Sequence, residues 1–327
     1  VKTAVCLLLV CLGNRAFARD KVIYGEDDRV DYYTASPEWR ALADSTAALF
    51  KADKVAPDGT LSLETLASRH NLCSGQRFGE QPAGSYCSGS LVAPDVIMTA
   101  GHCLSVGDSS TNGLDVPECA DIKFVFGYAL KSPGAPPGKA DPADVYRCAG
   151  VIARGFPGIG SRTSDYALLR LDRPVRNRAP VPLNRGKGVS AGNGVGVIGY
   201  PSGLPLKIAA GAAVRDASSP VFFTANLDSF GGNSGSMVFN LKTGLVEGIV
   251  VRGDSDFASN GDCNVYNIKP QNGGRGEDVI KISVILPHLN PPAEAATAEP
   301  AAAYEDIAAR SRAILLSFDG VSNSARR

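Results

Sequence analysis

Charge is balanced, histidine is scarce and methionine nearly missing from this chain of 327 residues. Lys plus Arg and Asp plus Glu both number 33, so the net charge is zero. That argues against a nucleic-acid partner or stable membrane association, since both draw on a basic excess. Three histidines are too few for a zinc site, and no two of the eight cysteines stand in C-x-x-C spacing. No metal and no cofactor is expected. Two methionines against 36 glycines suit short strands and tight turns better than a helical bundle. The apolar run from Ala4 to Leu12 is too short to span a bilayer.

That run follows the positive Lys2 and precedes Ala16-Phe17-Ala18, a small-x-small cleavage site. Residues 1–18 therefore read as a secretory signal, with cleavage before Arg19 and an extracellular or periplasmic product. Cys6 and Cys11 leave with it. The six remaining cysteines, an even number in an exported chain, suggest three disulfides.

Residues 19–79 read as an N-terminal arm and extension. Ser36-Pro37-Glu38 gives an N-cap, a proline at the first helical position and an acid in the first turn. Trp39, Leu42, Ala43, Thr46, Leu49 and Phe50 follow at helical spacing, although the β-branched end can pass into a strand. From Cys87 onward, short apolar runs alternate with turn clusters such as Ser132-Pro133-Gly134 and Asn272-Gly273-Gly274. The runs fall at 89–92, 96–99, 122–127, 145–152, 166–171, 195–199, 221–224, 236–239 and 245–251. They predict an all-β fold of two packed antiparallel barrels. Residues 291–327, rich in Ala, Pro and Glu, read as a linker and tail with a helix near 303–318.

Three segments carry chemistry: Thr99-Ala100-Gly101-His102-Cys103, Ser164-Asp165-Tyr166-Ala167-Leu168-Leu169 and Phe230-Gly231-Gly232-Asn233-Ser234-Gly235. A serine in a glycine-rich loop attacks a carbonyl only if a base removes its proton. The base needs a third group to fix its tautomer and stabilise its cation. Glycines at 232 and 235 let the backbone bend so that amides face the substrate oxygen. The order His, Asp, Ser is not that of the α/β-hydrolases, which place the histidine after a G-x-S-x-G serine.

At these residues the chain resembles the chymotrypsin-fold serine peptidases, and within them the bacterial trypsin-like and glutamyl-endopeptidase-type enzymes. The resemblance covers about residues 80–290, the expected peptidase domain, with a further match at Val22–Arg29. It implies two six-stranded barrels with short helices, His102 as base, Asp165 as its orienter and Ser234 as nucleophile. It places the oxyanion hole at the amides of Gly232 and Ser234, and a disulfide at Cys87 with Cys103, which encloses fifteen residues. Closing that loop is worth roughly 3 kcal/mol. The other four cysteines allow three pairings, of which Cys119 with Cys148 and Cys73 with Cys263 are expected. A secreted, monomeric serine endopeptidase acting on proteins or peptides follows. The other reading of such a fold is a catalytically weak binding protein, but this chain keeps all three residues.

For specificity, Asp228-Ser229 falls where trypsin carries its pocket-base aspartate, and a carboxylate there selects arginine or lysine. Val251, Arg252 and Gly253 would form the pocket wall. Arg252 at the mouth would repel a basic substrate, and Asn264 is expected where trypsin has a glycine. Glutamyl specificity would want a histidine in Ile249-Val250-Val251, and none is there. Asn233 replaces the aspartate that pairs with a new terminal ammonium in trypsin and chymotrypsin, so that activation switch is expected to be absent. Three motifs are set aside. Gly194–Gly199 matches G-x-G-x-x-G but precedes Tyr-Pro rather than a helix. Arg252-Gly253-Asp254 lies in the pocket wall. Asp254, Asp256 and Asp262 lack calcium-loop spacing.

Overall fold

The computed structural model describes residues 22–105, 117–156 and 164–289. The signal expected at 1–18 and the linker and helix expected after 291 lie outside the described residues.

Six strands form the first barrel: β1 (Thr46–Lys51), β2 (Cys87–Ala93), β3 (Val96–Thr99), β4 (Ile122–Phe126), β5 (Val145–Gly155) and β6 (Tyr166–Leu171). They close in the order β6-β3-β2-β1-β4-β5. Period-two alternation shows at the start of β5, where Tyr146 and Cys148 are buried and Arg147 is exposed. Leu49, Phe124 and Leu168 are fully buried inside, each worth roughly 1.5–3 kcal/mol of burial.

The run beginning at Trp39 resolves into two elements. Pro37–Ala43 is a helix, with proline in its first turn and Trp39 packed 4.6 Å from Phe239. The chain then turns, and Thr46–Lys51 enters the barrel between β2 and β4. The barrel thus begins at Thr46, not at residue 80, and the expected extension supplies one of its staves.

The second barrel holds β7 (Gly194–Gly199), β8 (Lys207–Asp216), β9 (Phe222–Ala225), β10 (Met237–Asn240), β11 (Val246–Arg252) and β12 (Glu277–Lys281). Their order is β7-β10-β11-β12-β9-β8, and β8 pairs back onto β7. Val30–Asp31 of the arm adds to β8. The G-x-G-x-x-G match is β7 itself, so no helix N-terminus faces a phosphate there. Val195, Val197, Phe223, Val238, Val250 and Val279 share its core.

The seam between the barrels is aromatic and polar. Tyr200 donates from its hydroxyl to Thr46 O at 2.9 Å, and its ring stacks 5.8 Å from Tyr128. Cys87–Cys103, Cys119–Cys148 and Cys73–Cys263 are all joined, as expected. Among the described residues, no helix is long and apolar enough to cross a membrane.

Candidate active site

Strand register brings the histidine and aspartate together. Thr99 of β3 pairs with Ala167 of β6. His102 follows β3 in a short turn, Gly101–Cys103, and Asp165 immediately precedes β6, so both lie at one end of two adjacent strands. Asp165 Oδ1 accepts from the His102 backbone amide at 3.0 Å, and Oδ2 lies 2.9 Å from His102 Nδ1. The second contact makes Nδ1 the protonated nitrogen, since a carboxylate only accepts. Burial works to raise the Asp165 pKa, but the charge and hydrogen bonds of His102, with the Arg252 guanidinium, hold it below the usual carboxylate value. Asp172, the other aspartate of this stretch, instead pairs with Arg147 and Arg173 at the surface.

Ser234 comes from the second barrel, in the loop before β10, and is docked on the first. Ser88 of β2 donates its amide to Ser234 O at 2.9 Å, and Cys103 Sγ lies 3.7 Å from that oxygen. Gly235 has φ +84°, and a Cβ there would stand 2.2 Å from Ser88 O and 2.8 Å from Ala100 N. Only glycine permits both the backbone turn and this approach to the root of the His102 turn. His102, Asp165 and Ser234 are 4%, 3% and 5% exposed.

The segment before Ser234 is fixed carbonyl by carbonyl. Ser202 N donates to Gly231 O, and in a trans peptide the Gly232 N–H then points away from Ser202. Ser88 Oγ donates to Gly232 O at 2.7 Å and accepts from Tyr200 N at 3.0 Å. Gly231 N donates to Asp256 Oδ2 at 2.7 Å. Ser88 and Asp256 were not legible as site residues, because their roles are bonds to a distant loop. The Cys87, His102 and Cys103 ligand atoms lie within 4.8 Å, but the two sulfurs are bonded to each other and offer no thiolate.

Asp228 is placed differently from the sequence expectation. Its Oδ1 accepts from Tyr24 N at 2.7 Å and its Oδ2 from Asp28 N at 3.0 Å, so both oxygens face the N-terminal arm. Burial pushes its carboxyl up to about 8, and the nearby Asp28 carboxylate adds to this. Ser229 Oγ donates to Glu277 Oε2 at 3.1 Å. Val251 is buried in β11, and Arg252 is clamped by Nε to Asp278 at 3.0 Å, which offsets its charge. Asn264, expected where trypsin has a glycine, is tied to the 70–71 turn of the extension. It sits in the hairpin Phe257–Tyr266 and bonds to His70 O and Asn71 O. Asp254, Asp256 and Asp262 do not converge: Asp254 bonds to Ser255 N, and the Asp262 carbonyl accepts from Asn71.

Two closed six-stranded antiparallel barrels are the architecture of the chymotrypsin-fold serine peptidases. Residues 87–249 match the family model described as a trypsin-like peptidase domain, so the chain carries such a domain, a serine endopeptidase hydrolase. Among solved structures, a Glu endopeptidase in complex with MPD is 17% identical with TM-score 0.46, over 89% of this chain and 100% of its own. Human heparin binding protein is 15% identical with TM-score 0.48, over 86% and 100%. The VesB protease of Vibrio cholerae is 14% identical with TM-score 0.47, over 80% and 66%. A comparison with curated proteins found no match.

Proposed function

We propose that this chain is a secreted endopeptidase that cuts proteins or peptides after arginine or lysine through an acyl-enzyme on Ser234. The observation that carries the reading is the two-point grip of Asp165 on His102, at 3.0 and 2.9 Å. With Nδ1 protonated, Nε2 is the free base. It takes the Ser234 proton as Oγ attacks the peptide carbonyl, then returns that proton to the leaving amine. The acyl-enzyme is hydrolysed by water activated in the same way. The developing oxyanion is received by the Gly232 and Ser234 amides, each such donor being worth about 3 kcal/mol in the transition state. No cofactor enters these steps, and the chain acts as a monomer.

Export is supported by three disulfides, which persist in oxidising compartments. A cationic preference is supported by the position of Asp228, buried beside Ser229 where the resemblance expects the pocket-base residue. The test is fluorophosphonate labelling, followed by cleavage of a mixed peptide library. Labelling of the parent but not of Ser234→Ala, with cuts after Arg and Lys, is expected. Turnover retained by Ser234→Ala would refute the nucleophile. Cuts after Glu or small residues would refute the cationic preference.

A further inference from the structure

We propose that a basic cavity on the first barrel, apart from the triad and from the expected pocket, takes an acidic stretch of the substrate chain beyond the cut. The inference rests on the serine-peptidase reading above and adds a second point at which the substrate is recognised.

The cavity has a volume of about 430 Å³ and lies where four segments meet. Lys51 ends β1, and Lys54 belongs to the turn that follows. Glu64 pairs with Ala83 in a short antiparallel ladder, and Arg69 stands in the last turn of the helix Leu66–His70. Tyr86 lines the cavity just before β2 begins. Its charged lining is three cations, Lys51, Lys54 and Arg69, against the single carboxylate of Glu64. Lys54 also has Asp53 at 3.8 Å, but both are exposed to solvent, so that pair holds the ammonium weakly. Arg69 is half-buried, and among the described residues no carboxylate pairs with it. Leu63 and Tyr86 add an apolar side.

The wall of this cavity continues into the candidate active site. Tyr86 adjoins Cys87, which is bonded to Cys103 beside His102, and Ser88 donates its amide to Ser234 O at 2.9 Å. Gly84, also in the wall, donates to Gly203 O at 2.9 Å, next to the Ser202 amide that holds Gly231 O. His102 hands its proton to the leaving amine, so the chain beyond the cut departs on the His102 side, where the Cys87–Cys103 bridge leads to Tyr86. At about 3.3 Å of rise per residue, Tyr86 stands roughly 7 Å along the strand from Ser88, so an extended substrate reaches the cavity roughly two to four residues after the cut. A lone phosphate or sulfate would fill a small part of this volume and leave Leu63 and Tyr86 uncovered. Aspartate and glutamate side chains on an extended chain match both the spread cations and the apolar side.

The experiment uses the full secreted chain, with active sites counted by fluorophosphonate labelling. Matched fluorogenic peptides carry before the cut whichever residue the library selects, and differ only at the second to fourth positions after it, in acidic or amide side chains. The parent is expected to favour the acidic peptide in kcat/KM by roughly 3–30-fold, the size of two partly exposed ion pairs, chiefly through KM. That ratio should fall as sodium chloride rises from about 0.05 M to about 0.5 M, where screening becomes short-ranged. The double variant Lys54→Gln, Arg69→Gln is expected to bring the ratio close to one, whereas Glu64→Gln, which removes the opposing charge, is expected to raise it. A gain of that kind does not come from damage to the fold. Lys242→Gln, at an exposed turn of the second barrel, serves as the control and should leave the ratio as it is. Equal cleavage of both peptides by the parent, or a ratio that survives the double variant, overturns the inference while labelling upholds the peptidase reading. Inorganic phosphate that protects the parent from thermal unfolding but not the double variant, with no preference between the peptides, would make this a small-anion site and overturn the substrate assignment. A parent protein that does not label overturns both readings.

Discussion

Replacing Asp165 by asparagine isolates the tautomer argument, because the backbone decides which way the new amide faces. The His102 amide donates to Oδ1 at 3.0 Å. An asparagine that turned its NH2 toward that amide would set two donors against each other in a buried site, so its oxygen must stay there. The NH2 then faces His102 Nδ1, where Oδ2 now lies at 2.9 Å. Nδ1 becomes the acceptor, the ring proton moves to Nε2, and Nε2 can no longer take the Ser234 proton. Fold and substrate binding are untouched. The loss is that of a mis-set tautomer in this class of site, about 10⁴-fold in kcat. At 1.36 kcal/mol per tenfold this is about 5.4 kcal/mol of transition-state stabilisation. Pre-steady-state acylation with an activated ester measures it directly, with KM expected to stay within about threefold. Asp172→Asn, which alters only surface pairs with Arg147 and Arg173, serves as the control. An Asp165→Asn enzyme within about tenfold of the parent would refute the assignment of Asp165 as orienter.

Ser88→Ala removes the hydroxyl between Gly232 O and Tyr200 N, leaving one buried acceptor and one buried donor unmet. A stability loss of about 2 kcal/mol by denaturant titration is expected. A kcat loss of about 10–100-fold should accompany it as the oxyanion loop shifts; unchanged kcat would mean Ser88 does not position that loop. Asp228, with its carboxyl raised to about 8, binds a proton in the folded state over a range where the unfolded chain has released it. Its contribution to stability is therefore highest at low pH and declines from about pH 4 to about pH 8. Asp228→Asn should flatten that part of the curve, so the Tm difference between variant and parent grows from pH 5 to 8; a pH-independent difference would refute the shift. Arg29 is fully buried, bonded twice to Asp27 at 2.8 Å, and lies 4.1 Å over the Phe230 ring. Arg29→Met should cost roughly 3 kcal/mol, since it strands part of the Asp27 charge, and a cost under about 1 kcal/mol would show the pair to be dispensable.

The candidate catalytic residues were legible because each stands near the end of a strand. Strand register alone carries His102 and Asp165 to one end of a barrel, and the glycines around Ser234 announce a bent loop. The pocket was not legible in the same way. Its third wall depends on how many residues the chain spends between β11 and β12. The hairpin Phe257–Tyr266, tied by Cys73–Cys263 to the arm, lengthens that connection. Asn264 was placed at the pocket by counting through it. β1 was hidden for another reason. The apolar positions of Pro37–Ala43 and Thr46–Lys51 run on in one pattern, and only the turn at Asp44-Ser45 divides a helix of period 3.6 from a strand of period two.

Asn233 raises the question of what orders the pocket when the residue before the nucleophile has no charge to offer. Here Asn233 Oδ1 accepts from Ser236 Oγ at 2.9 Å, an internal bond of the loop. The outside support comes from the arm, mostly through neutral groups. Ile23–Tyr24 pairs in parallel with Ile268–Lys269, Val22 O accepts from Ser229 N at 3.3 Å, and Tyr24 N holds Asp228. Five residues on, Arg29 fills the space behind Phe230, whose other neighbours are Phe257 at 5.3 Å and Tyr266 at 4.8 Å. Trypsin has a cysteine at the Phe230 position; this chain has an aromatic cluster around a buried cation. Most of these contacts are backbone bonds and ring packing rather than one charged pair. The order of the loop therefore follows from the arm's docking as a whole.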